Sequence, residues 1–255
     1  MTARAETLWW LASVGVALGI VALWQVAADR QWVSPIFLPG PDRAWATLRE
    51  GFGPGGDLAL HLTTTLEHML YGWVIASATG ILLGALIGSS RHARAWLGPT
   101  LEYLRPLPAS AIAPVAIAFL GLSQGMVLAV IAFGSLWPTL LATAHGVAAV
   151  EPRLIEVARA LRLTRLQTAF KIALPNAMPD ILAALRYGLT VALILAVVGE
   201  MLAGQEGLGQ RIVLAARAFR SADLFAGVIL LGLIGFLSNT ALAVAERRLL
   251  RWRAR

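Results

Sequence analysis

Between Glu156 and Pro175 the chain reads EVARALRLTRLQTAFKIALP, a basic and amphipathic island flanked on both sides by long apolar runs. Pro152 suits the first position of a helix. From there Leu154, Val157, Ala158 and Leu161 recur at i, i+3, i+4 and i+7, which predicts one apolar stripe on a short helix. Arg153, Glu156, Arg159 and Arg162 fall on the other side. Thr164-Arg-Leu-Gln167 has the spacing of a capping box and predicts a second helix start. That helix is expected to end before Pro175, with Pro179 starting the next element. Two short helices joined by a turn near Arg162–Leu163 make an element built to meet a partner, and a loop resting on lipid headgroups is the alternative that these residues leave open.

Outward from the island the composition is that of a membrane protein. Apolar residues make up 58 % of the 255 positions, charged ones 14 %, and the mean hydropathy is +0.72. A helix needs about 20 mostly apolar residues to cross a bilayer core. Thr7–Ala28, Met69–Ser90 and Leu224–Ala245 meet this without a charge. Pro106–Val150 is long enough for two crossings, with a break at Gly121-Leu-Ser-Gln-Gly125, and Ile181–Ala203 carries Arg186 near one end and Glu200 near the other. The expected fold is therefore an all-α membrane protein of six spans in one domain. The spans lie at about 7–28, 67–90, 99–121, 125–148, 178–203 and 223–246, with a loop over 151–175 between the fourth and fifth.

The formal net charge of +7 is explained by topology rather than by nucleic acid. With the N-terminus placed inside, Arg4, Arg91, Arg94, Arg153, Arg159, Arg162, Arg165, Lys171, Arg247, Arg248, Arg251, Arg253 and Arg255 all fall on the inner side. Only Arg30, Arg43, Arg49, Arg211, Arg217 and Arg220 fall outside. This asymmetry puts both termini in the cytoplasm. The first span is too long and too poorly followed by a cleavage site for a signal peptide, so it is expected to be retained. The absence of cysteine excludes disulfides and thiolate metal sites. There is no phosphate loop, zinc-protease helix or serine elbow, so the chain carries no enzyme motif.

Smaller features add local expectations. Gly40-Pro41 opens a short helix with Pro41, Ala44, Trp45 and Leu48 on one face, expected to lie on the outer surface. Gly80, Gly84 and Gly88 form a small-residue stripe that predicts close packing of the second span on another, more readily than a polar path for solute. Glu102 and Arg105 are spaced for a mutual ion pair. Arg186 and Glu200, costly near a bilayer, are expected to satisfy each other or to reach the interface. After the fifth span, Leu208, Ile212, Ala215 and Phe219 share one face of a surface helix.

Glu156-Val-Ala158 with Leu174-Pro175 resembles the EAA loop of the membrane subunits of ABC importers. Phe37-Leu-Pro-Gly-Pro41, Leu104-Arg-Pro-Leu-Pro108, Gly146 through Pro152, Gly199-Glu-Met-Leu202 and Gly207-Leu-Gly209 are similar, in order and spacing, to its nitrate, sulfonate and taurine branch. The resemblance implies a permease of a bacterial inner membrane that carries a small anionic or zwitterionic solute. It also implies a second permease copy as a homodimer, two cytoplasmic ATP-binding subunits and an extracytoplasmic solute-binding protein, all within membrane lipid. ATP and magnesium would be bound by the partner ATPase, with no cofactor in this chain. The implied docking residues are Glu156, Val157, Ala158, Arg159, Ala160, Leu161, Arg162, Leu163 and Pro175. At Arg162 the family usually has glycine, and a left-handed turn there costs a side-chain-bearing residue about 1–2 kcal/mol. An ion-gradient carrier is the first alternative, against which the uncharged span interiors speak, and a non-transporting scaffold is the second.

Overall fold

A computed structural model of the protein describes residues 3–250; Arg251, Arg253 and Arg255, counted above with the inner charges, lie outside that range. The described residues form helices and connecting loops, with no strand among them. Five helices are long and apolar enough to cross a membrane, and a bent pair makes up to six. By internal contacts the described residues form two compact units, 3–61 with 211–231 and 62–210 with 232–250.

The first unit holds α1 (Ala3–Asp29), α2 (Pro41–Gly51), the start of α3 (Leu58–Ser89), most of α10 (Leu208–Arg217) and the start of α11 (Ser221–Leu249). The Trp24 indole donates to the Pro39 carbonyl at 2.9 Å, and its ring lies 5.3 Å from that of Phe225. Pro41 opens α2 after an extended Gly40, as the sequence implies. On its expected face Ala44 and Leu48 are buried, but Trp45 is exposed. Arg211 joins Asp57 and Asp223 in one ion-pair group. Desolvation raises the Asp57 carboxyl, but the hydrogen bond and charge of Arg211 outweigh it and hold the group below the ordinary carboxylate range.

The second unit is built on α3, α6 (Gln124–Ala148) and α9 (Leu174–Ala203). Glycines allow their backbones to approach. A Cβ on Gly80 would lie 3.1 Å from the Leu136 carbonyl oxygen, and one on Gly84 would lie 2.5 Å from that of Leu140. One on Gly88 would lie 2.7 Å from that of Ala144. The stripe thus packs α3 directly on the α6 backbone. On the other flank of α6, Gly146 meets Ala177 and Gly199 meets Val127.

Three expectations are corrected here. Where one continuous third span was expected there are two helices, α4 (Arg91–Leu104) and α5 (Ala109–Leu120), bent by 96°. The prolines at 106 and 108 remove two donors from the connecting segment, so no α ladder crosses it. Glu102 lies in the last turn of α4 and Arg105 is its C-terminal cap, and the two do not pair with each other among the described residues. Finally, the helix expected to stop before Pro175 continues. α8 (Arg165–Thr168) runs through a π-helical turn (Ala169–Ala173) into α9, giving one apolar segment from Leu166 to Ala203. The Leu174 N–H reaches back five residues to the Ala169 carbonyl. Pro175 has no N–H to give to the ladder, and the π turn just before it widens the backbone where its ring enters.

Candidate functional site

The loop between α6 and α9 begins where Glu151 leads Pro152 into α7 (Pro152–Ala160). Of the expected apolar stripe only Ala158 is buried. Leu154, Val157 and Leu161 are exposed, Leu161 at 67 %, and Leu166 and Phe170 continue the uncovered apolar surface. Glu156, Arg159, Ala160 and Arg162 are also exposed, and Leu163 is half-buried. The Arg153–Glu151 pair, 3.9 Å apart and open to solvent, adds little.

The helix ends in a left-handed turn. The Leu163 N–H donates to the Ala158 carbonyl at 2.9 Å and the Arg162 N–H to that of Arg159 at 3.0 Å, the two bonds of a Schellman cap. The cap places Arg162 at φ 51°, in the region that favours glycine. Thr164 and Gln167 then exchange the expected reciprocal bonds. The Thr164 N–H donates to Gln167 Oε1 at 2.9 Å, and the Gln167 N–H to Thr164 Oγ1 at 3.2 Å. Pro175 is not beside these residues in the sequence of turns; it lies beyond the π turn. There the Asn176 amide donates to the Gly146 carbonyl at 3.2 Å, while Ala173, Ala177, Ile181 and Val147 form a buried cluster. The exit of the loop is therefore pinned to its entrance.

Arg162 makes a direct prediction. Arg162→Gly removes the left-handed penalty of about 1 kcal/mol, so exchange of the Leu163 amide slows about fivefold. Arg162→Val has the opposite sign, because a β-branched residue tolerates positive φ least. Amide exchange on the purified protein reads both.

At the far end of α9 lies a second constellation. Glu200 is fully buried. Its Oε2 accepts from Thr65 Oγ1 at 3.0 Å and from the Gly209 N–H at 2.9 Å, and its Oε1 lies 3.0 Å from His68 Nδ1. The Leu208 N–H donates to Thr65 Oγ1 at 2.8 Å. Arg186 instead contacts Glu246 of α11 at 3.3 Å. Mutual satisfaction of Arg186 and Glu200 was the wrong expectation, since 14 residues of one helix separate them by about 21 Å. Thr65 and His68 escaped the sequence reading. Their signal was present: with Gly72 they fall at i, i+3 and i+7 on the packed face of α3, and polar side chains on such a face need a polar partner.

Residues 79–253 match the family described as the inner membrane component of binding-protein-dependent transport systems. The chain belongs to this family. The permease is 31 % identical to a putative aliphatic sulfonates transport permease protein of Bacillus subtilis, over 96 % of this chain and 88 % of that one. It is 30 % identical to the taurine transport system permease protein of Escherichia coli, over 94 % and 89 %. With the nitrate import permease protein of Leptolyngbya laminosa it shares 28 % over 90 % and 84 %. In fold it is similar to a chain of the MetNI methionine ABC transporter in an inward-facing conformation. That likeness has a TM-score of 0.66 and 21 % identity, and covers 75 % of this chain and 95 % of that one. By family and relatives the permease is thus a multi-span subunit of an ABC importer, in which ATP hydrolysis resides in a separate subunit.

Proposed function

We propose that two copies of this permease form the solute pathway of an importer for a small anionic or zwitterionic compound of the sulfonate, taurine or nitrate kind. The loop from Glu151 to Pro175 faces the cytoplasm and docks into a groove on each of two ATP-binding subunits, which hold ATP and magnesium. A solute-binding protein delivers its cargo at the opposite end of the spans. The observation that carries this reading is the uncovered apolar row of Leu154, Val157 and Leu161 on a short capped helix. A row of this kind left open in a polar loop marks an interaction surface. The relatives' printed solutes support the substrate class.

Glu156 sits beside the row, exposed, where it can meet a basic group of the partner. The chain hydrolyses nothing itself; closure of the ATPase pair draws the docked loops together and biases the spans between two packings. The chain has no cysteine, so single introduced thiols report cleanly. With Leu161→Cys, a membrane-impermeant maleimide should label inverted vesicles lacking the ATPase and leave right-side-out cells unlabelled. Adding the ATPase subunit should then protect the thiol. Labelling from the outer side, or no protection, overturns the orientation or the docking respectively.

A further inference from the structure

We propose that Glu200 is a positioning residue. Its carboxylate holds the loop Gly204–Gly209 and the first turn of α10 onto α3 and α9, shaping the end of the permease that receives the solute-binding protein. The inference rests on the proposed function for that last step only.

The geometry leaves the carboxylate little freedom. Glu200 takes hydrogen bonds from α3 through Thr65 and from the start of α10 through the Gly209 N–H. A carboxylate only accepts, so while Glu200 is ionised the facing His68 Nδ1 carries the hydrogen. Thr65 serves two partners at once, donating to Glu200 and accepting from the Leu208 N–H. The backbone closes over the group so tightly that side chains have no room. A Cβ on Gly207 would lie 2.2 Å from the Glu200 carboxyl carbon, and one on Gly209 would lie 2.4 Å from the Val197 carbonyl oxygen. Gly207 also has φ 154°. The two glycines of Gly207-Leu-Gly209 are thus the space that the carboxylate and α9 require. Two further bonds fix the same loop: Gln210 Nε2 donates to the Gly204 carbonyl at 2.6 Å, and Gln205 Nε2 to the Leu122 carbonyl at 3.0 Å. The Gln205 bond ties it to the segment between α5 and α6.

A buried carboxyl group held in this way cannot release the loop without losing its hydrogen bonds or admitting water. The loop therefore keeps one shape while the spans move. Glu200 lies 26 residues beyond Leu174 on α9, about 39 Å from the coupling end, so it acts on the opposite face.

The test uses the assembled importer with its solute-binding protein. In Glu200→Ala the Leu208 and Gly209 amides should exchange at least tenfold faster. The binding-protein concentration for half-maximal ATPase stimulation should rise about tenfold, with the maximal rate within twofold of wild type. Glu200→Gln should restore both, because its amide oxygen accepts from Thr65 and Gly209 while its NH₂ donates to a neutral His68 Nδ1. Thr65→Val keeps its shape but strips the Leu208 N–H of its acceptor. It should move both readouts in the E200A direction, and keeps the test decisive if E200A does not assemble. Unchanged exchange in E200A and T65V overturns the proposal, as does faster exchange with no shift in half-saturation. A Gln variant as impaired as the Ala variant also overturns it, since charge rather than placement would then be required. A wild-type importer unresponsive to its binding protein is a different result, which counts against the proposed function.

Discussion

Replacing Leu161 with Asp should reduce solute-stimulated ATP hydrolysis of the reconstituted importer to its unstimulated level, while the permease still inserts and is recovered from the membrane. Leu161 is exposed at the C-terminal end of α7 and touches no buried cluster, so the substitution costs the free subunit little. Its effect falls on the docked state. Covering a leucine side chain stabilises a contact by about 1.5–3 kcal/mol. An aspartate in the same place adds the cost of desolvating a charge, so a loss of about 3 kcal/mol or more is expected, over a hundredfold in affinity. Leu161→Met keeps the volume and should leave stimulation within about twofold. Retained stimulation in L161D would show that the apolar row is not the coupling contact.

Gly84→Leu is expected to abolish assembly altogether. A Cβ at this position already lies 2.5 Å from the Leu140 carbonyl oxygen, 2.7 Å from Thr143 Cβ and 3.1 Å from the Ala144 amide nitrogen. Two of these atoms are helical backbone and cannot rotate aside. Three further carbons must then push α3 and α6 apart. That separation strips the contacts that Gly80 and Gly88 make on the same face. Overpacking of about 1–3 kcal/mol is usual for one added group, and a leucine at a backbone crossing exceeds it. The variant should appear in membranes but fail to co-purify with the ATPase, whereas Gly98→Leu, with open space around it, should behave as wild type in the same measurement. Normal co-purification of G84L would mean that α3 and α6 do not pack in this register.

Local chemistry made much of this legible. Pro152, the Thr164–Gln167 exchange and the glycine stripe each answer to a rule that operates over a few residues, and the structure contains all three. The turn at Arg162 is left-handed as the family pattern implies, despite the side chain there. What escaped depends on distance in sequence or on a choice among backbone solutions. Thr65 and His68 meet Glu200 across more than 130 positions, and a lone polar pair on a helix does not say what faces it. Pro175 forbids only the α ladder; a wider turn just before it keeps the helix running, and Ala173 at its end packs in the buried cluster with Val147 and Ala177. The 96° break between α4 and α5 likewise sits at Pro106 and Pro108, and no local rule fixes the angle of such a bend.

The π turn has a mechanical consequence. Because the helix does not stop at Pro175, Leu166 and Ala203 are the two ends of one rod of 38 residues, about 57 Å long. A rod tilted by about 10° around its midpoint moves each end by about 5 Å, in opposite senses, at the rise per residue of an α-helix. Where the loop docks as proposed, leverage of this kind carries its motion to the Glu200 corner along a single helix, past the widened turn at Ala169–Ala173.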